Sequence, residues 1–174
     1  LDICSYVGAW SSICAKNDFE NFTLIDQDKT ALKQAEDNIN QNKTCTNVTI
    51  NSLCGDMFEQ LSALTKQQKK FSVVIADPPA FTKSSKHVPE AKRAYIRLIK
   101  MAAGLVDKDG LLIVCSCSRH VENSVFMEYI QSGLEQSYQA HSGVWVVLHQ
   151  GEQSPCHTRL VSKELGDYLK CFIL

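Results

Sequence analysis

The segment "NFTLIDQDKTALKQAEDNI", residues 21–39, carries two periodicities end to end. Its first six residues, Asn21 to Asp26, form a short β-rich run that stops on an acid. Asp28 then stands where a helix would need a cap, because its carboxylate can accept from the first free amides. Ala31, Leu32, Ala35 and Ile39 follow at the spacing of a single helix face. The segment is therefore a strand followed by a capped helix. Repeated, such a unit makes a parallel sheet covered on both sides, because parallel neighbours need a crossover connection.

The unit does repeat. "TNVTINSL" (46–53) reads as a strand, and Phe58, Leu61 and Leu64 follow at helical spacing. "FSVVIA" (71–76) is a continuous apolar run, as expected of a strand buried on both faces, and Pro78 and Pro79 stop it. A helix is expected to begin near Pro89 and to bury Ala91, Tyr95, Leu98, Ala102 and Leu105. Asp109–Gly110 should turn the chain into "LLIVCS" (111–116), and Val121, Val125, Phe126, Tyr129, Ile130 and Leu134 mark one more helix. "GVWVVLHQ" (143–150) and "DYLKCFIL" (167–174) are strand-like with no helix signal between them, which suggests an antiparallel hairpin at one edge. The expected fold is α/β. Leu1 to Ile3 resemble the tail of a strand with no initiator Met before them, so the chain is expected to be a piece of a longer protein.

Composition narrows the class. A chain of 174 residues favours one domain, and 44% apolar with 21% charged content suits a globular protein in water. No apolar run approaches the ~20 residues that span a bilayer, and no secretory signal opens the chain, so no membrane partner is expected. The eight cysteines include no C-x-x-C pair, so no metal is expected. Most lie in apolar segments, where a free thiol behaves as a small hydrophobe, and a reduced, cytoplasmic setting is the simpler reading. The net charge of −1 gives no general pull on nucleic acid. Between Ala80 and Lys100, however, six basic residues face one acid, Glu90.

In a doubly wound sheet, ligands bind beyond the carboxyl ends of the strands. Those ends carry "CSYVGAW" (4–10), Asp26, then Gly55, Asp56 and Met57, then "DPPAF" (77–81), then "SCSRH" (116–120). Asp26 lies eighteen residues after Gly8, near the interval at which an acid binds ribose hydroxyls. The first turn lacks G-x-G-x-x-G, so a pyrophosphate would not find close backbone along it. A nucleoside without phosphates fits better, and S-adenosylmethionine is one. Asp56 would accept from the adenine amino group while Met57 packs on the ring, although each acid alone also suits a helix cap. In "DPPAF", two prolines leave rigid carbonyls and the carboxylate of Asp77 at the strand mouth, with Phe81 placed to stack on a planar base.

Taken in order, "SYVGAWS" (5–11), "LIDQDKTALKQAEDNINQN" (24–42), "GDMFEQL" (55–61), "DPPAFTKSSK" (77–86) and "DGLLIVCSCSRHV" (109–121) resemble the catalytic domain of the bacterial 23S rRNA cytosine-5 methyltransferases that carry an N-terminal PUA domain. The closing "HQGEQSPCH" (149–157) and "DYLKCFIL" resemble that family's last two strands, so the resemblance covers essentially the whole chain, 1–174. It implies a Rossmann-like, mostly parallel seven-stranded sheet, S-adenosylmethionine as cofactor, ribosomal RNA as substrate, and an RNA-binding domain in front of Leu1. It assigns the cofactor to Asp2, Ser5, Tyr6, Gly8, Asp26, Asp56 and Asp77, with Gln27 and Met57 beside them, and the nucleophile to Cys117. The chain departs from the family at "GAW", where relatives often have paired glycines.

Carbon 5 of cytosine needs help to take a methyl group. A thiolate adding at carbon 6 makes it enamine-like, which is covalent catalysis. A free thiol titrates near pH 8.5, so Arg119, His120 or the following helix start would have to stabilise the thiolate of Cys117. Cys115 and Cys117 would share a strand face if the strand stayed regular, and Cys115 reads as packing. Asp77 would hold the N3/N4 edge of the base. Pro78, Pro79, Phe81, Lys83 and Arg93 are the expected substrate contacts. Arg93, Arg97 and Lys100 recur on one helix face and, with Lys83 and Lys86, would make either a phosphate-facing stripe or a solvated face. Two other readings stand beside this one. "DPPAF" suits methyl transfer to an exocyclic amine of RNA, and the domain could instead be a non-catalytic nucleotide- or RNA-binding module or a nicotinamide-dependent oxidoreductase.

Overall fold

The computed structural model describes residues 1–82, 84–137, 144–151 and 168–174. Seven strands form one sheet in the order β3-β2-β1-β4-β5-β7-β6. β1 (Asp2–Ile3), β2 (Asn21–Asp26), β3 (Thr49–Cys54), β4 (Phe71–Ala76) and β5 (Val106–Ser116) are parallel neighbours. β7 (Lys170–Ile173) runs antiparallel to β5, and β6 (His149–Gly151) antiparallel to β7. The α/β, Rossmann-like expectation with a C-terminal antiparallel pair is what the chain adopts. Strand order reverses at β1, between β2 and β4, and this opens the crevice in which the site lies.

The helices form for the local reasons anticipated. The Asp28 carboxylate accepts from the amides of Thr30 (2.7 Å) and Ala31 (3.3 Å) and starts α2 (Lys29–Asn42). Ala31, Leu32, Ala35 and Ile39 are its buried face. Asp56 caps α3 (Met57–Lys66) in the same way, through the amides of Phe58 and Glu59. α4 (Val88–Ala103) carries Pro89 in its first turn and buries Tyr95, Leu98, Ile99 and Ala102. α5 (Asn123–Ser137) packs on α4 through Phe126, Tyr129 and Ile130, and the main core gathers these faces against β4 and β5. The short α1 (Ala9–Ala15) carries no periodic apolar signal, and it forms after a left-handed Gly8.

Three boundaries differ from expectation. β3 begins at Thr49 rather than Thr46, where parallel pairing with Asn21 begins. The Asp109–Gly110 pair does not separate two elements. It lies inside β5 as a bulge, because pairing steps from Val106 opposite Phe71 to Leu111 opposite Val73 and Asp109 takes φ 60°. The run Val144–Leu148 is rich in β-formers, yet only His149–Gly151 is strand. Of that run, Leu148 alone donates its amide to β7, through the Ile173 carbonyl, at 2.8 Å. Among the described residues, no helix is long and apolar enough to cross a membrane.

Candidate cofactor and catalytic site

The turn after β1 is unusual in backbone and in contact. Cys4, Tyr6 and Gly8 all have positive φ (62°, 48° and 74°), so the chain coils tightly over the ends of β1 and β2. Gly8 is required there. A Cβ on it would lie 2.8 Å from the Cβ of Ala35, on top of the cost of its left-handed backbone. Two bonds tie the coil to β2: the Ser5 amide donates to the Ile25 carbonyl at 3.0 Å, and the Tyr6 amide to Asp26 Oδ2 at 2.8 Å. Asp26 Oδ1 accepts from the Asp28 amide at 2.9 Å. The result is a cavity of about 500 Å³, within the usual range for a small-molecule site.

Ser5, Tyr6, Asp26 and Gln27 line this cavity from the β1 and β2 side. Met57, Asp77, Pro78 and Pro79 close it from the other. Residues separated widely in sequence, and singled out by their positions at strand ends, thus meet at one opening. Gly8 stands behind the turn as the start of α1. Asp56 does not line the cavity. Its Oδ1 caps α3, and the residue borders a neighbouring hollow with Phe58 and Arg97.

Asp2 lies beneath the turn, 3% exposed. Its Oδ2 accepts from the Ser11 hydroxyl at 2.7 Å, while its Oδ1 and the nearby buried Ser5 Oγ find no protein partner. Burial pushes the Asp2 carboxyl above its ordinary range, and the Ser11 bond only partly offsets this. An acid whose folded pKa is raised costs stability once pH passes its unfolded value, and the cost is complete above the folded pKa. Asp2→Asn keeps an acceptor for Ser11 and removes that charge. It is therefore expected to gain about 1 kcal/mol at neutral pH, a rise in Tm of about 2–4 °C. The gain should vanish near pH ~3, where the aspartate is itself neutral. Thermal melts across pH decide this, and an equal gain at both ends would refute it.

Sequence reading missed Trp10 as a site residue. Its indole Nε1 donates to Asp77 Oδ2 at 3.0 Å, and its ring lines the cavity. It therefore orients the Asp77 carboxylate at the cavity wall. The only signal was the departure from glycine in "GAW". Cys4 also lines the cavity, with its Sγ 3.5 Å from Met57 Sδ. Burial, with four surrounding aspartates, pushes its thiol up to about 12, so it acts as a soft apolar wall rather than a nucleophile.

β5 ends at Ser116, so Cys117 stands just beyond the strand, and the regular alternation with Cys115 does not hold. Cys115 is 6% exposed in a small cluster with Ile75 and Ile113 and sits opposite Cys171 across the β5–β7 pair. The hydrogen bond between these two thiols raises Cys115, which burial raises further, and lowers Cys171. Cys117 is half-buried, with its Sγ 3.9 Å from the Pro78 carbonyl. Its thiol is raised, first by burial and then by the charge of Asp77, with Lys170 acting in the opposite sense. The expectation that Arg119 or His120 would favour the thiolate is corrected. Both are exposed, the Arg119 guanidinium lies over the Tyr168 ring at 5.5 Å, and the positive charge acting on the thiol is that of Lys170, whose ammonium donates to the Ser118 carbonyl.

The outer residues fall elsewhere. Phe81 sets its ring edge-on to Tyr95 at 4.6 Å and packs against the main core. Lys83 lies outside the described residues. Arg93 is exposed and pairs with Glu90 at 3.3 Å. Arg97 lies over the Phe58 ring at 4.3 Å, so one member of the basic stripe is held against α3.

A family model described as Conserved hypothetical protein 95 matches residues 1–142, most of the chain and every strand from β1 to β5. The chain belongs to that family. The Conserved hypothetical protein 95 match ends before β6 and β7, while curated relatives extend over the whole chain. It is 33% identical over 171 residues to a protein of Methanocaldococcus jannaschii named "Putative ribosomal RNA large subunit methyltransferase" and covers 42% of that protein. It is 27% identical over 176 residues to a Deinococcus radiodurans protein named "Ribosomal RNA large subunit methyltransferase", of which it covers 41%. The chain thus spans about two fifths of the length of these relatives. Among solved structures it is similar to "A putative sam-dependent methyltransferase from Streptococcus mutans", with TM-score 0.80, 20% identity, and coverage of 99% of this chain and 43% of that one. This likeness places the Conserved hypothetical protein 95 chain in the Rossmann-like fold.

Proposed function

We propose that this chain is the catalytic part of an S-adenosylmethionine-dependent ribosomal RNA methyltransferase that acts at carbon 5 of a cytosine through a covalent bond to Cys117. The names of the relatives support RNA methylation, and the cavity supports the cofactor. The residues present suit that molecule. Asp26 offers a carboxylate for a ribose diol, and Cys4 and Met57 offer a soft apolar wall for an aromatic ring. The orphaned Ser5 Oγ and Asp2 Oδ1 are buried acceptors that a cationic amino group or a water would satisfy. When bound, the cofactor supplies an electrophilic methyl group on a sulfonium.

The protein's own residues would do the rest. The thiolate of Cys117 adds to carbon 6 of the cytosine, which places negative charge at carbon 5. Asp77, oriented by Trp10, holds the N3/N4 edge and favours protonation at N3. After carbon 5 takes the methyl group, a base removes its proton and the sulfur–carbon bond breaks to release Cys117. Burial and the charge of Asp77 both raise this thiol, so forming the thiolate is work the site has to do before addition. A base held in structured RNA must leave its stack to reach this point. The observation that carries the reading is the adjacency of Cys117 and Pro78, which joins a thiol to the wall of a nucleoside-sized cavity.

The test uses ribosomal RNA containing 5-fluorocytidine, with cofactor and the whole protein. Fluorine at carbon 5 blocks the final deprotonation and traps the adduct. The expected result is a covalent complex that maps to Cys117. Methylation of an exocyclic amine with no adduct would overturn the carbon-5 reading.

A further inference from the structure

We propose that Tyr95 is the positioning residue for Cys117, holding the loop after β5 and the loop after β4 in one fixed relation. This rests on the reading of Cys117 as nucleophile. The Tyr95 hydroxyl lies 2.9 Å from Ser116 Oγ and 2.9 Å from Ser118 Oγ, the two residues that flank the thiol. The Ser118 amide donates to Ser116 Oγ at 3.2 Å, which closes the loop on itself. Lys170, 3% exposed, donates to the Ser118 carbonyl at 3.0 Å from the β7 side. Ser116, Ser118 and Tyr95 are 1%, 0% and 0% exposed, while Cys117 between them is only half-buried. The S-C-S sequence is therefore a thiol held outward by two hydroxyls held inward.

A packing role alone would not need this chemistry. Three hydroxyls buried away from water are costly unless each finds a partner, and here they satisfy one another in a single arrangement. The Tyr95 ring cannot swing to another arrangement, because Phe81 meets it edge-on at 4.6 Å and Phe126 at 5.2 Å. Phe81 belongs to "DPPAF", whose Pro78 carbonyl faces the Cys117 sulfur. One side chain from α4 thus touches both loops that meet at the reacting base. It governs the offset between the thiol and the Asp-Pro-Pro segment whose Asp77 would hold that base.

The test is Tyr95→Phe in the whole protein, which keeps the ring and its aromatic contacts and removes only the hydroxyl. A misplacement of about 1 Å costs up to ~100-fold in rate, so kcat is expected to fall about 10- to 100-fold with KM for the cofactor unchanged. The rate at which iodoacetamide alkylates Cys117, followed on its own peptide by mass spectrometry, should change with it. A merely structural role would lower Tm while leaving both kcat and the alkylation rate at wild-type values well below the melt, and that result overturns the proposal. If Tyr95→Phe fails to fold, Ser116→Ala and Ser118→Ala carry the same two readouts. Alkylation needs no RNA, so it separates the failures. Wild-type protein that forms no adduct with 5-fluorocytidine RNA removes the reading of the reaction, whereas an alkylation rate indifferent to Tyr95 removes the positioning role.

Discussion

Replacing Cys117 with serine is expected to abolish methyl transfer to RNA while cofactor affinity stays within about twofold. A serine hydroxyl is far less ionised than a thiol near neutral pH and far less nucleophilic toward carbon 6. The loss should reach at least ~1,000-fold in kcat, about 4 kcal/mol of barrier. Cofactor binding is spared because the cavity is lined by the β1, β2 and β4 ends rather than by the sulfur itself. Cys115→Ser serves as the control. That thiol sits in an apolar cluster against Cys171, so its loss acts on stability and not on the reaction. Activity of Cys117→Ser within tenfold of wild type would end the covalent proposal and favour transfer to an amino group, which needs no thiol.

The second large effect is at Asp26. Asp26→Ala is expected to weaken S-adenosylmethionine binding about 10- to 100-fold, the span of roughly 1.5–3 kcal/mol for hydrogen bonds to a charged group. Two losses combine. The ribose would lose its carboxylate, and the Tyr6 and Asp28 amides would lose their acceptor, which loosens the left-handed turn over the cavity. Calorimetry with the cofactor reads the first, and Tm reads the second. Asp26→Asn separates them, since it keeps one acceptor for the turn but no charge for the ribose. An affinity unchanged in both variants would show that the cavity binds something other than a ribose-bearing molecule at this end.

Much of the fold was legible because it is written in local order. A cap such as Asp28 acts on amides two and three residues away, and a helix face such as Ala31, Leu32, Ala35 and Ile39 is set by the 3.6-residue turn. The strand ends were legible for the same reason, and a parallel sheet collects strand ends on one side. That is why Asp26, Met57 and Asp77, far apart in sequence, could be nominated together before the cavity that joins them was seen. Asp56 shows the limit of that logic. A strand-end acid that begins a helix is both a candidate ligand and a cap, and Asp56 does serve as a cap, its Oδ1 accepting from the Phe58 and Glu59 amides.

Chain order was enough to establish an alternating α/β domain with a thiol and a rigid Asp-Pro-Pro at neighbouring strand mouths. Tertiary structure alone decided three things. β7 inserts between β5 and β6, the indole of Trp10 reaches Asp77, and the hydroxyl of Tyr95 reaches Ser116 and Ser118. Each joins residues 20 or more positions apart, beyond the reach of any local periodicity. The environment of Cys117 is of the same kind. The positive charge that favours its thiolate is that of Lys170 on β7, whose ammonium is held on the Ser118 carbonyl, because charges act through space and sheet pairing brings β7 beside β5.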